Sequence, residues 1–161
     1  MQHIGKFKHN ISVASEYAAL SKEDEAAANI LATQKHYRQA CILLVQAMEK
    51  AIRAKIFTLV NPNLDYFREK NKHHSLDAAV EFLIEIVSTD PVIKGQILAQ
   101  LNTHVLENTK YNHLHNNLRY PSYFKRYDSY SLLEIQREDF DRLRNRLISL
   151  RKFLDELGRL S

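Results

Sequence analysis

The fold is decided by the stretch Tyr37–Leu59, which reads YRQACILLVQAMEKAIRAKIFTL. Its apolar and small residues recur at spacings of three and four, the period of one face of an α-helix. The smaller members form a seam that lets another helix approach closely: Ala40, Leu44, Ala47, Ala51 and Ala54. Larger apolar residues widen this face: Cys41, Val45, Met48, Ile52 and Ile56. Such a wide face indicates burial on more than one side, so we predict that this helix is the centre of a bundle.

Four further helices are predicted around this central one. They cover Glu23–Thr33, Ser75–Val87, Pro91–Pro121 and Leu132–Leu157. Ser21, Ser75 and Pro91 are residue types that favour helix starts at these positions. Three glycines and three prolines are too few for the many tight turns of an all-β fold. We therefore predict an all-α fold, an antiparallel bundle of about five helices, with residues 1–20 as an N-terminal arm and residues 21–161 as a single domain.

Composition narrows the class of protein further. The single cysteine, Cys41, excludes an internal disulfide and is expected to fill a small apolar position. No signal-peptide pattern opens the sequence, and no apolar run reaches the ~20 residues needed to span a bilayer. We expect a cytoplasmic protein that does not bind membranes. The net charge of +4, mildly basic at the ends of the chain, permits contact with phosphates but does not require it.

The segment His104–Pro121 continues an apolar helical stripe that includes Ile97 and Leu101, and then turns polar on the same face. The polar face comprises His104, Asn108, Tyr111, Asn112, His115 and Arg119. Buried polar groups need hydrogen-bond partners, so this face predicts a wet cleft or a contact with a partner. A helix that runs past the end of the bundle into solvent fits the pattern equally well. A rotated core face is a further alternative, because Leu106, Leu114 and Leu118 are spaced to form one.

An aromatic and basic segment follows Pro121. It contains Tyr123, Phe124, Lys125, Arg126, Tyr127 and Tyr130. Rings interleaved with cations suit stacking on bases and contact with phosphates. Rings that pin a loop onto the bundle give the same pattern, and this is the interpretation that we favour.

Strong catalytic signatures are absent from the sequence. It contains no phosphate-binding glycine loop, no dinucleotide fingerprint, no His-Glu-x-x-His and no paired cysteines. His113 and His115 are two positions apart and therefore point to different faces of a helix, which makes them a poor metal pair. We expect neither a metal nor another cofactor.

Three short pieces of the sequence, in order, resemble the HEPN domain family (higher eukaryotes and prokaryotes nucleotide-binding). The first runs from Tyr37 and Ala40 through Ala47-Met48-Glu49-Lys50-Ala51. The second is His74-Ser75-Leu76, and the third is Leu118-Arg119-Tyr120-Pro121. Together they cover about residues 23–121.

The resemblance implies a helical bundle that forms a homodimer and, as in the best-studied members, a metal-independent ribonuclease with an Arg-x(4–6)-His motif. It implies that His115 is the general acid or base and that Arg119 stabilises charge on a phosphate. No arginine lies between Arg68 and Arg119, so Lys110, five residues before His115, would be the substitute cation. The remaining members of the site would bind RNA or a nucleotide: His104, Asn108, Tyr111, Asn112 and Tyr120.

Three functions remain open at this point. The first is a HEPN-type dimer that cleaves or binds RNA or nucleotides in a toxin–antitoxin or defence system. The second is a catalytically inactive HEPN-like module whose partner is a nucleotidyltransferase-type antitoxin. The third is a general helical scaffold of the tetratricopeptide kind.

Overall fold

The structure, a computed structural model, describes residues 4–157. Its α-helices are α1 (Val13–Thr33), α2 (Tyr37–Leu59), α3 (Asp65–Lys70), α4 (Leu76–Val87), α5 (Pro91–Gln100), α6 (Tyr111–Arg119) and α7 (Arg137–Leu157). A π-helical turn, Leu101–Val105, follows α5, and an antiparallel hairpin of β1 (Ser122–Phe124) and β2 (Ser129–Ser131) joins α6 to α7. The all-α prediction is confirmed, although the described residues contain seven α-helices rather than about five. None of these helices is long and apolar enough to cross a membrane.

Helix α2 is the centre of the bundle, as its wide apolar face predicts. It packs against α1, α4, α6 and α7. The side chains of Ala40, Leu44, Ala47 and Met48 are completely buried in these contacts. Burial of apolar area is the main favourable term in folding, so α2 contributes to the stability of every neighbouring helix. Burial also raises the pKa of the Cys41 thiol to about 12, which keeps it protonated in a packing role.

Helix α1 is longer than predicted and begins at Val13 instead of Glu23. The predicted cap, Ser21, lies in the middle of this helix, where its hydroxyl donates to the Ala47 carbonyl of α2 at 2.6 Å. No glycine or proline interrupts the chain between Val13 and Glu23, so nothing local stops the helix there. Residue 20, the predicted end of the N-terminal arm, therefore falls inside α1, and residues 1–3 of that arm lie outside the described residues.

Of the three helix starts predicted at Ser21, Ser75 and Pro91, the two at Ser75 and Pro91 are confirmed. The Ser75 hydroxyl accepts a hydrogen bond from the Ala78 amide at 3.0 Å at the start of α4. The Asp90 carboxylate accepts from the Val92 amide at 2.9 Å at the start of α5, with Pro91 in the first turn. Each cap satisfies an amide that has no partner within its helix.

The prediction of one continuous helix from Pro91 to Pro121 is wrong. After α5 the backbone passes through the π-helical turn and leaves helical geometry at Leu106–Lys110, before α6 begins at Tyr111. Glu107 and Asn108 adopt left-handed backbone angles, with φ of 54° and 56°. The break is held by α7, because Arg146 donates to Glu107, to Thr109 and to the Tyr111 hydroxyl. The polar residues therefore do not share one face of one helix.

The segment after Pro121 is a hairpin, and its rings do not pin it onto the bundle as we had favoured. The exposed fractions of Tyr123, Tyr127 and Tyr130 are 52%, 62% and 72%. Tyr123 and Tyr130 instead contact each other across the two strands, with ring centroids 5.6 Å apart. Helix α7 begins at Arg137, five residues later than predicted, because residues 132–136 form a non-helical connection after the hairpin.

Candidate functional site

Helix α6 carries His115 and Arg119, and both of its ends are tied to other helices. At its start, the Asn112 amide donates to the Asp77 carboxylate of α4 at 3.0 Å. At its end, the Arg38 guanidinium of α2 donates to the Leu118 carbonyl at 2.9 Å. These bonds satisfy backbone groups that a helix leaves open at its ends. The positions of His115 and Arg119 are thereby fixed relative to the core.

His115 has an imidazole nitrogen with no protein partner. Among residues 4–157, its Nε2 is the single buried side-chain nitrogen or oxygen atom without a hydrogen bond. Burial lowers the pKa of His115, the positive charge of Arg119 lowers it further, and Glu49 acts in the opposite direction. The ring is therefore neutral at neutral pH, with a nitrogen able to accept a proton.

Glu49 connects this histidine to a buried cluster on α2. Its carboxylate lies 2.9 Å from Nε of Arg53, whose side chain is completely buried, and 3.8 Å from Nδ1 of His74. Arg53 also donates to the Asn71 side chain at 2.8 Å and to the His73 carbonyl. This network fixes the segment before α4. Its Glu49 carboxylate is the negative charge that raises the pKa of His115.

Arg119 lies at the surface, one helical turn after His115. Its Nε donates to the His115 carbonyl at 3.2 Å, and its guanidinium carbon is 5.3 Å from the centre of the Tyr120 ring. Within the described residues, its two terminal nitrogens have no hydrogen-bond or ion-pair partner. Arginine in this state can bind a phosphate with two parallel hydrogen bonds.

The structure brings together only part of the predicted site. Arg119 and Tyr120 lie together at the end of α6, and His115 lies one turn earlier, in the middle of the helix. Lys110 and Asn112 lie exposed at the opposite end of α6, whereas His104 and Asn108 belong to the π-helical turn and the break after it. Tyr111 is only 1% exposed, and its hydroxyl binds the Leu106 carbonyl and Arg146. Its ring is inside the core, out of reach of a ligand in this arrangement.

Sequence reasoning missed two members of the site. The predicted site contains neither Glu49 nor His74, which enter only as parts of the HEPN resemblance. One signal for Glu49 was available, since Arg53 follows it by four positions and such pairs meet on a helix. The approach of His74 to Glu49 joins the segment before α4 to α2, and a contact between residues so far apart in the chain cannot be predicted from local sequence.

No three His, Cys, Asp or Glu side chains of the described residues are grouped so that they could hold a metal ion. In a comparison with family models, the HEPN domain model matches residues 16–157. Comparison with curated proteins and with solved structures gave no significant match.

Proposed function

Because this chain belongs to the HEPN domain family, we propose that it binds single-stranded RNA and cleaves it without a metal, using His115 and Arg119. The proposed reaction is attack of a ribose 2′-hydroxyl on the adjacent phosphodiester. The 2′-oxygen forms a bond to phosphorus, and the bond from phosphorus to the 5′-oxygen breaks. The products are a 2′,3′-cyclic phosphate and a free 5′-hydroxyl.

Each residue of the proposed site has one task. His115 takes the proton from the 2′-hydroxyl at Nε2, as a general base whose neutral form prevails at neutral pH. Arg119 places its guanidinium against the phosphate and stabilises the negative charge that grows there. The proton that the leaving 5′-oxygen needs comes from water or from the second subunit of a homodimer. Lys110 contributes positive charge from that second subunit.

The observation that carries this proposal is the state of His115. A buried imidazole nitrogen normally has a hydrogen-bond partner, since an unpaired buried polar atom costs free energy. Nε2 of His115 has none among the described residues, and the free guanidinium of Arg119 is one turn away. Because Nε2 is buried, a ligand hydroxyl becomes the missing partner only when the His115 ring turns toward the surface.

The test is cleavage of a labelled single-stranded RNA in the presence of EDTA, with the products separated on a gel. We expect wild type to leave cyclic-phosphate ends and His115→Ala and Arg119→Ala to lose at least about 99% of the rate, because each removes a group that acts in the transition state. His113→Ala, which changes an exposed histidine of the same helix, is the matched control and should cleave as wild type. Equal cleavage by His115→Ala and His113→Ala would overturn the proposal.

The proposed setting is a toxin–antitoxin or defence system in the cytoplasm, with the chain as a homodimer. Expression of wild type in a bacterial host should slow growth, and His115→Ala should relieve this effect. Light scattering after size exclusion should give twice the monomer mass of 18.8 kDa. A monomer would remove the second subunit from the mechanism.

One observation favours a second function. The residues five to seven positions before His115, where the family's ribonuclease motif has its arginine, are Lys110, Thr109 and Asn108, so that arginine is missing. On this ground the alternative is a catalytically inactive module whose partner is a nucleotidyltransferase-type protein. Stable binding to such a partner, together with no RNA cleavage by wild type at any protein concentration, would favour this alternative.

A further inference from the structure

A small pocket lies beneath the hairpin, where α6 ends. Its volume is about 170 Å³, and its lining includes Asn117, Tyr120, Ser122, Phe124 and Ser131. Sites for drug-sized ligands usually measure about 300–1,000 Å³. The pocket is therefore of a size for one planar ring system and too small for a whole nucleotide.

The strand register explains which hairpin residues face this pocket. Ser122 pairs with Ser131, and Phe124 pairs with Ser129, whereas Tyr123 and Tyr130 pair with each other between them. Successive side chains of a strand point to opposite faces. Ser122, Phe124 and Ser131 consequently lie on the pocket face, and Tyr123 and Tyr130 lie on the opposite face.

The pocket combines two aromatic rings with a polar edge. Tyr120 and Phe124 remain 55% and 44% exposed, although both line the pocket. The Ser122 hydroxyl donates to Oδ1 of Asn117 at 2.7 Å, which fixes the amide and leaves its NH₂ group without a partner among the described residues. Stacking faces together with an oriented amide are the features by which proteins bind unstacked bases of single-stranded RNA.

Positive charge surrounds this pocket. Arg119 lies over the Tyr120 ring, and Lys125 and Arg126 directly follow Phe124. Among residues 4–157, none of these three cations forms an ion pair with a carboxylate. The nearest acid of the hairpin, Asp128, is already bound to the Tyr123 hydroxyl at 2.5 Å on the opposite face. A base in the pocket would thus have cations available for its flanking phosphates.

We infer that this pocket binds one unstacked base of single-stranded RNA between Tyr120 and Phe124. The inference rests on the proposed function and extends it, because Arg119 belongs to both sites. A base held beside Tyr120 places its neighbouring phosphate at Arg119, one turn from His115. The pocket then determines which phosphodiester of the strand reaches the imidazole.

The test measures binding separately from cleavage. The probe is a short, labelled single-stranded RNA with 2′-O-methyl groups, which lacks the internal nucleophile and cannot be cut by the proposed reaction. We expect Phe124→Ala to weaken binding, measured by fluorescence anisotropy, by about tenfold through loss of stacking. Phe124→Leu keeps apolar bulk but has no ring, and should weaken binding nearly as much. Circular dichroism and thermal unfolding establish that each variant is folded.

Tyr130→Ala provides the matched control, since it removes a more exposed ring from the opposite face of the same hairpin. It should bind the probe within about twofold of wild type, as expected for a surface change away from the contact. A duplex of the same sequence should bind independently of Phe124, because its bases are not free to enter the pocket. Equal affinities of wild type, Phe124→Ala and Phe124→Leu for the single strand would overturn the inference.

The two proposals fail in distinguishable ways. If Phe124→Ala weakens binding while wild type cuts no RNA, the base pocket stands and the cleavage proposal fails. If wild type cuts RNA but both Phe124 variants bind the probe normally, the cleavage proposal stands and the pocket inference fails. If the Phe124 variants lost binding to a protein partner but kept the RNA affinity of wild type, the hairpin would be assigned to that partner and the inference would be overturned.

Discussion

Burial and neighbouring charges together determine the pKa of His115. Burial removes water from the imidazole, and Arg119 repels a second positive charge, so both lower the pKa of His115. The Glu49 carboxylate attracts the charged form and limits this effect. The balance keeps the ring neutral near pH 7, which is the state that a general base requires.

The charges of these neighbours give a prediction with a definite sign. Arg119→Gln removes a positive charge and should raise the pKa of His115, whereas Glu49→Gln should lower it. Both pKa values can be measured by NMR titration of the imidazole carbon signals in the folded proteins. A pKa of His115 that moves in the same direction in both variants would contradict this account.

The same shift predicts how stability depends on pH. The folded pKa of His115 lies below its ordinary value of 6.5, so the unfolded chain binds the proton more readily. The contribution of His115 to folding is therefore complete above about pH 6.5 and is lost as pH falls through the folded pKa. Urea unfolding should show that the stability of wild type, taken relative to that of His115→Gln, falls between pH 7.5 and acid conditions on the order of pH 5. A relative stability of wild type that rises on acidification would contradict the sign.

Within α2, Arg53 is a buried cation that is satisfied by three different groups. It binds Glu49, Asn71 and the His73 carbonyl, and its side chain is completely buried. Removing one partner of a buried ion pair leaves the other groups without hydrogen bonds and usually costs more than a surface pair contributes. Arg53 therefore links the centre of the bundle to the segment that positions His74.

We expect Arg53→Ala to lower the free energy of unfolding by about 3 kcal/mol, because Glu49 and the His73 carbonyl lose a buried donor. Arg144→Ala, a change at an exposed arginine of α7, is the matched control and should alter stability by less than about 0.5 kcal/mol. Urea denaturation followed by circular dichroism measures both. Equal effects of the two substitutions would show that the Arg53 network contributes little to stability.

The break in the helix before α6 could not be predicted from local sequence. The starts of α4 and α5 were predictable, because Ser75 and Asp90 cap their helices through bonds within a few residues. The break was not, because it depends on Arg146, which is 39 positions away from Glu107. Extending a helical period past Gln100 therefore placed Tyr111 on a ligand face, although Arg146 holds it inside the core.

The left-handed geometry of Asn108 allows a direct test of the break. Its φ is 56°, a conformation that costs an alanine roughly 1–2 kcal/mol. Asn108→Ala should therefore destabilise the protein by about 1 kcal/mol, and Asn108→Gly should be at least as stable as wild type. If residues 91–121 instead formed one helix, alanine would stabilise and glycine would destabilise. Thermal unfolding of the two variants shows which of them is more stable and so distinguishes the break from a continuous helix.

At the scale of the whole molecule, the fold was more predictable than the site. The wide apolar face of α2 was enough to predict an all-α bundle with this helix at its centre, because helical period and burial are written into local sequence. The proposed site draws on α2, on the segment before α4 and on α6, and only tertiary packing brings Glu49 of α2 near enough to His115 of α6 to affect its pKa. Local patterns contain no information about this packing.

The most direct test of the central claim, that neutral His115 accepts the proton of a 2′-hydroxyl, is the pH dependence of single-turnover RNA cleavage. The account predicts a rate that rises with pH, reaches half of its maximum below the ordinary histidine pKa of 6.5, and levels off at neutral pH. Glu49→Gln should shift this midpoint to lower pH. A rate that does not change across the titration of His115, or an RNA that stays intact at every pH, would contradict it.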